Sequence, residues 1–128
     1  MQTIATRAAP AAIGPYSQAT RASGFVFLSG QIPIDPTTGQ MVEGGIVQET
    51  ERVLDNLSAI LKEAGLSFDH VVKTTIYLVD LGDFQAVNEV YGKRFTRSLP
   101  ARATVQVAAL PRGAHVEIDA IAATPVLP

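Results

Sequence analysis

The sequence predicts an α+β domain in which a sheet carries two helices on one of its faces. Three observations lead there. Apolar residues recur at three-to-four spacing in two separate stretches, and other stretches alternate or are rich in β-branched residues. These stretches follow one another as strands, helix, strand, helix and two strands. The chain, 128 residues long, has room for one core, so residues 1–128 are read as a single domain. A hydrophobic content of 47 % supports a packed interior rather than disorder.

Phe25 to Ile34 reads as the first clear strand, with Phe25, Phe27 and Ser29 on one side and Val26, Leu28 and Gly30 on the other. D-P-T-T-G, Asp35 to Gly39, is turn chemistry. Ile46, Val53, Leu57, Ile60, Leu61 and Ala64 then form one face of a helix that stops at Gly65, with Glu49 and Glu51 early, where the dipole favours them. Val71 to Val79 is a β-branched run of strand length. Asp83 is placed to cap a second helix whose apolar face holds Phe84, Val87, Tyr91 and Phe95, and Leu99-Pro100 closes that segment. Arg102 to Ala109 and Val116 to Ala123 are two strands around L-P-R-G-A-H. Helices on one face leave the other in need of cover, so an oligomer is expected.

Ten basic and twelve acidic residues give a net charge of −2, which lacks the basic stripe of a nucleic-acid binder. The absence of cysteine removes disulfides, thiolate metal sites and thiol nucleophiles. His70 and His115 lie far apart without metal-ligand spacing, so no metal site is expected. No apolar run approaches the roughly 18 residues of a membrane span. The N-terminal M-Q-T-I-A-T-R-A-A-P has no secretory order, and a cytoplasmic location is expected.

Five places could carry chemistry, and each also has a plain structural reading. Arg102 begins the polar side of its strand, followed by Thr104 and Gln106, and is either a solvated edge residue or a clamp for a carboxylate. Ser29-Gly30-Gln31 interrupts an apolar strand, as a bulge does, or as a backbone that meets a ligand. Asn88 falls on the helical face of Phe84, Tyr91 and Phe95, where an amide must find a partner in the backbone or in a pocket. Glu117 alternates with Val116 and Ile118, and is either a solvated strand residue or a proton acceptor in a partly dry pocket. Tyr16 follows Gly14-Pro15 as core or as a lid. Were Leu110 to His115 a simple hairpin loop, Glu117 would pair near Val107, roughly 17 Å from Arg102 at strand rise. A bulge, strong coiling or a neighbouring subunit would then have to bring the two together.

In order along the chain, A-P-A-A-I-G-P-Y-S-Q-A, F-L-S-G-Q-I-P, V-V-K-T-T-I-Y-L, F-Q-A-V-N-E-V-Y, L-P-A-R-A-T-V and V-E-I-D-A-I-A closely resemble the RidA/YjgF family of reactive-intermediate deaminases. The resemblance implies a chorismate-mutase-like fold assembled as a homotrimer with clefts between subunits. It implies hydrolysis of enamines and imines such as 2-aminoacrylate to 2-oxoacids and ammonia, without a cofactor. By position, Arg102 matches the arginine that grips the substrate carboxylate and Glu117 the glutamate that positions or activates water. Tyr16, Ser29, Gly30 and Asn88 match pocket residues. Many deaminating members have a cysteine where Thr104 stands, so any thiol-dependent role is absent here, though a backbone contact to substrate could survive. The segment before Leu99-Pro100 is also a few residues shorter. Both departures bear on substrate range. A non-catalytic binder of 2-oxoacids or amino acids, and a pathway-specific deaminase for a larger enamine, are the alternatives. Endoribonuclease activity fits the charge and the histidines less well.

Overall fold

The computed structural model describes residues 1–125. Six strands form one mixed sheet: β1 (Gln2–Ile4), β2 (Ala19–Ala22), β3 (Phe25–Gln31), β4 (Val71–Leu78), β5 (Ala101–Gln106) and β6 (Val116–Ala123). Their spatial order is β1-β2-β3-β6-β4-β5, with only β4 and β5 parallel. Helices α1 (Ile46–Glu63) and α2 (Phe84–Arg94) pack on one face. That face is the core: Leu54, Leu57, Ile60 and Leu61 of α1 meet Val26, Ile76, Leu78, Val116 and Ile118 of the sheet.

The boundaries follow from local chemistry. α1 ends in a Schellman motif, Leu66 N–H bonding to Leu61 C=O and Gly65 N–H to Lys62 C=O, with Gly65 in the left-handed region at φ 78°. The first strand is shorter than its alternation suggests: β3 stops at Gln31, because Pro33 has no N–H for the ladder, and Ile34 makes only an isolated bridge to Met41. Strands β1 and β2 were not separable by pattern, being three and four residues long. Asp83 occupies the N-cap of α2 but its side chain accepts no capping bond; Asp80 instead caps the single turn before it, accepting from Gly82 N–H.

The largest difference concerns the last two strands. They are not a hairpin. β5 ends at Gln106, short of Ala109, and pairs in parallel with β4 at the sheet edge, while β6 inserts between β3 and β4. Burial explains this placement. Val116, Ile118, Ala120 and Ala122 are at most 3 % exposed and belong in the middle, whereas every residue of β5 except Thr104 is exposed.

The chain leaving β3 is held from the core side. Asn56, fully buried on α1, donates to the carbonyls of Ile32 (3.3 Å) and Ile34 (3.0 Å) and accepts from Arg52 Nε (3.1 Å). Truncating it strands two backbone acceptors. Asn56→Ala is expected to lower unfolding free energy by about 2 kcal/mol, read from urea midpoints at constant slope. A loss below about 0.5 kcal/mol, the scatter of surface substitutions, would contradict this role.

Candidate active site

Sheet alternation sorts the candidate residues onto two faces. Arg102 is in register with Thr74, a fully buried residue on the helix side, and its side chain lies along α2. Its guanidinium carbon sits 5.0 Å from the Tyr91 ring centroid and 5.5 Å from that of Phe84, and its Nη1 donates to Asn88 Oδ1 at 2.7 Å. Phe84, Asn88 and Tyr91 are spaced i, i+4, i+7, so one helical stripe supplies both the aromatic faces and the amide. Tyr91 is fixed in turn: its hydroxyl shares a hydrogen bond of 2.7 Å with Thr74 Oγ1, and its ring stacks on Phe95 at 4.3 Å. Burial pushes the Tyr91 phenol up, against the opposing effects of Thr74 and the Arg102 charge. Asn88 is exposed rather than buried as its helical position suggests, and Arg102 is the partner its amide oxygen finds.

A cleft of about 450 Å³ opens beside this arginine, lined by Asn88, Tyr91, Gly92, Phe95, Leu99 and Pro100 together with Arg102 itself. Thr104, half-buried, lines a second depression on the other flank of Arg102 with Leu81 and Phe84. The guanidinium is thus held in place while remaining open to solvent, a state suited to two-point recognition of a carboxylate.

Glu117 lies on the opposite face. It alternates with the buried residues of β6 and is in register with Tyr77 of β4. Across β6, the pairing with β3 runs Leu28 to Ala120 and then Gln31 to Ile118, so β3 carries one extra residue: a β-bulge at Ser29–Gly30. The bulge brings the Gly30 backbone under the glutamate. A Cβ built on Gly30 would collide with Glu117 Oε2 and stand 2.9 Å from its Cδ. Both readings of Ser29-Gly30-Gln31, a bulge and a close approach, therefore apply, and the group approached is a carboxyl of this chain. Burial, and secondarily the nearby Asp119 charge, push the Glu117 carboxyl above the usual glutamate range.

The Ser29 hydroxyl donates to Ser17 C=O at 2.6 Å, and Ser29 N–H to Gln18 C=O at 2.9 Å. Tyr16, next in the chain, is 54 % exposed. It is not core, and it borders a depression of about 750 Å³ beneath the N-terminal segment. Its lining, mostly small side chains with Arg7 and Tyr16, does not include Arg102. Gln18, 4 % exposed, ties the N-terminal segment down by donating to Thr6, Ala9 and Pro10 carbonyls and accepting from Thr6 N–H. Ser29, Gly30 and Glu117 are thereby grouped, with Tyr16 next in the chain to the Ser17 that Ser29 bonds, and Arg102, Asn88 and Thr104 form a second group. The register places Arg102 and Glu117 two strands apart and three residues along, roughly 14 Å. More decisively, the sheet stands between them.

Several residues of this arrangement were not singled out by pattern. Thr74, Tyr77 and Asp119 belong to it only through strand register, although Asp119 stands two residues from Glu117 and hence on its face. Among the described residues, no group of three or more metal-ligating side chains is assembled. No described helix is long and apolar enough to cross a membrane.

Comparison with known proteins bears on this geometry. Residues 6–124 match the family model described as endoribonuclease L-PSP. This chain belongs to that family, the RidA/YjgF family its motifs resemble. The chain is 64 % identical to protein DfrA of Myxococcus xanthus, over 89 % of this chain and 88 % of that protein. It is 57 % identical to the 2-iminobutanoate/2-iminopropanoate deaminase of Mus musculus, over 93 % and 88 % of the two chains. The crystal structure of YyfA from Yersinia pestis, a protein of unknown function in the conserved Rid family, superposes with a TM-score of 0.94 at 48 % identity, over 96 % and 98 % of the two chains.

In this family member, Gly30 gives a direct test of the carboxyl's position. Its φ is not in the left-handed region, and the atoms nearest a new methyl belong to the flexible Glu117 side chain. Gly30→Ala is expected to stay folded, with a urea midpoint close to the parent's, while a crystal structure shows Glu117 displaced from the bulge. An unmoved Glu117 would contradict the close approach.

Proposed function

We propose that the protein hydrolyses 2-imino acids and their enamine tautomers, of the 2-iminopropanoate and 2-iminobutanoate type, to 2-oxoacids and ammonia. The observation that carries this reading is the similarity, over nearly the whole chain, to mammalian proteins named for that reaction. The residues supply the chemistry it needs. A protonated imine is already electrophilic at carbon, so the task is to orient it and activate water. Arg102, steadied by Asn88 and stacked on Tyr91, holds the substrate carboxylate. Glu117 takes a proton as water attacks, giving a carbinolamine. It returns that proton to nitrogen, and collapse to the carbonyl releases ammonia while Glu117 accepts the hydroxyl proton. The last proton passes to ammonia, which leaves as ammonium.

Arg102 and Glu117 face opposite sides of one sheet, which supports a site completed between copies. The open face presents Phe25, Phe27 and Val105, each 41–43 % exposed, as a surface for such a contact. In a homotrimer the Arg102 group of one subunit meets the Tyr16, Ser29, Gly30 and Glu117 group of the next, and three clefts close at once. The partners are then small imines or 2-oxoacids and two further copies of the chain. The family's nuclease description finds less support. His70 is occupied in a capping box with Ser67 and His115 with Glu49, both away from the Arg102 cleft.

Ammonia release from imines made in place by an amino-acid oxidase, with semicarbazide to trap surviving imine, tests the activity. Arg102→Ala is expected to lower kcat/KM by about 10²-fold or more, two charged hydrogen bonds at about 1.5–3 kcal/mol each being lost. Glu117→Gln should abolish acceleration while 2-oxoacid binding persists. If Glu117→Gln keeps full activity, hydrolysis does not depend on this carboxylate and its assignment as the base fails. Co-assembly of the two inactive variants is expected to recover part of the activity, since some clefts then combine an intact Arg102 with an intact Glu117. No recovery in confirmed mixed assemblies would place both residues in one subunit's site.

A further inference from the structure

The surroundings of Glu117 hold a second carboxylate that the reaction scheme does not use. On the open face, the titratable or charged side chains near Glu117 are Asp119 on β6 and Tyr77 and Lys73 on β4. The neighbouring positions of β3 are Phe27, Ser29 and Gly30, and β5 presents Ala101, Ala103 and Val105, so neither strand adds a charge. Lys73 is in register with Ile121, beyond Asp119 as seen from Glu117. Ser17, which follows Tyr16 in the chain, accepts the hydrogen bond of the Ser29 hydroxyl.

The two carboxylates are drawn apart in a defined way. Glu117 lies over the Gly30 bulge, toward β3. Asp119 turns toward β4, where its Oδ2 accepts a hydrogen bond of 2.9 Å from the Tyr77 hydroxyl. Tyr77 is the register partner of Glu117, so its phenol reaches diagonally from the position opposite Glu117 to the carboxylate two residues on. The donor is neutral: it satisfies Asp119 without cancelling its charge. The Tyr77 phenol is pushed up by that hydrogen bond, by burial and by the Asp119 charge, which keeps it protonated as the donor.

We propose that Tyr77 and Asp119 are a positioning pair for Glu117: the phenol anchors a like charge beside the glutamate and so makes it the stronger base toward the attacking water. This rests on the reading of Glu117 as the water-activating base. Neither residue touches substrate in this scheme; both act through Glu117. Asp119 raises the proton affinity of the glutamate, and burial contributes the larger part. A stronger base transfers the proton from water with more driving force, provided it remains ionised at working pH. The sign follows: activity falls as pH drops through the Glu117 titration, and removing Asp119 moves that fall to lower pH.

The test uses the full chain labelled with ¹³C at glutamate side-chain carboxyls, the Glu117 signal being assigned by its loss in Glu117→Gln. Asp119→Asn is expected to lower the Glu117 midpoint by about half a pH unit and to move the acid limb of kcat/KM by the same amount. Tyr77→Phe, which keeps the charge and frees its position, should move the midpoint by less. Asp119→Glu should restore it toward the parent value. An unchanged Glu117 midpoint in folded Asp119→Asn overturns the proposal, and if that variant does not fold, an unchanged midpoint in Tyr77→Phe does so. A midpoint that moves while the acid limb stays fixed upholds the pair and overturns instead the assignment of Glu117 as the base.

Discussion

Burial of Val116, Ile118, Ala120 and Ala122 against the helices fixes the register of β6, and a slip of one residue would drive Glu117 and Asp119 into the core. The rest of the molecule is arranged around that strand. β3 must bulge at Ser29–Gly30 to make room for Glu117, and β4 supplies Tyr77 to Asp119. β5 is left at the edge, where Arg102 reaches α2 instead of the open face. The alternation of a single central strand thus decides which chemical groups share a surface.

The two groups are prepared by opposite means. Arg102 is kept accessible and held by weak, directional contacts: a hydrogen bond to Asn88 and the faces of two aromatic rings. Glu117 is prepared by partial removal from water and by a neighbouring charge. A cation loses little by such stacking, because the guanidinium donors not given to Asn88 remain free to choose partners. A carboxylate gains basicity where solvation is withdrawn and where a like charge stands near. Each preparation suits its residue, and neither could be exchanged for the other.

Much of this was legible in the chain. The period of α1, the stop at Gly65 and the β-branched run of β4 are local signals, and they stand where the pattern puts them. Gly30 within an apolar strand announced a bulge, and the six motifs together announced the family and its fold. What was hidden is the order of strands in space. Leu110 to His115 looks like a hairpin loop because Pro111 and Gly113 are turn residues. Yet the loop carries the chain from the edge past β4, which lies between β5 and β6. No residue within the loop encodes that destination. It is set by which strand is apolar enough to lie in the middle. The stacking of Arg102 was hidden for the same reason, since the strand order is what sets β5 beside α2. Asn88 illustrates the converse: a polar residue on an otherwise apolar stripe was readable, but its exposed position and its partner were not.

Gln18 has a consequence for the start of the chain. Its buried side-chain amide is satisfied entirely by backbone groups of Thr6, Ala9 and Pro10, while its own backbone carbonyl receives the N–H of Ser29. A protease nick that released the first ten residues would strip the Gln18 amide of these backbone partners beside the bulge that cradles Glu117. The N-terminal segment is a brace, and cleavage there would loosen the bulge from behind before any residue of the cleft itself was lost.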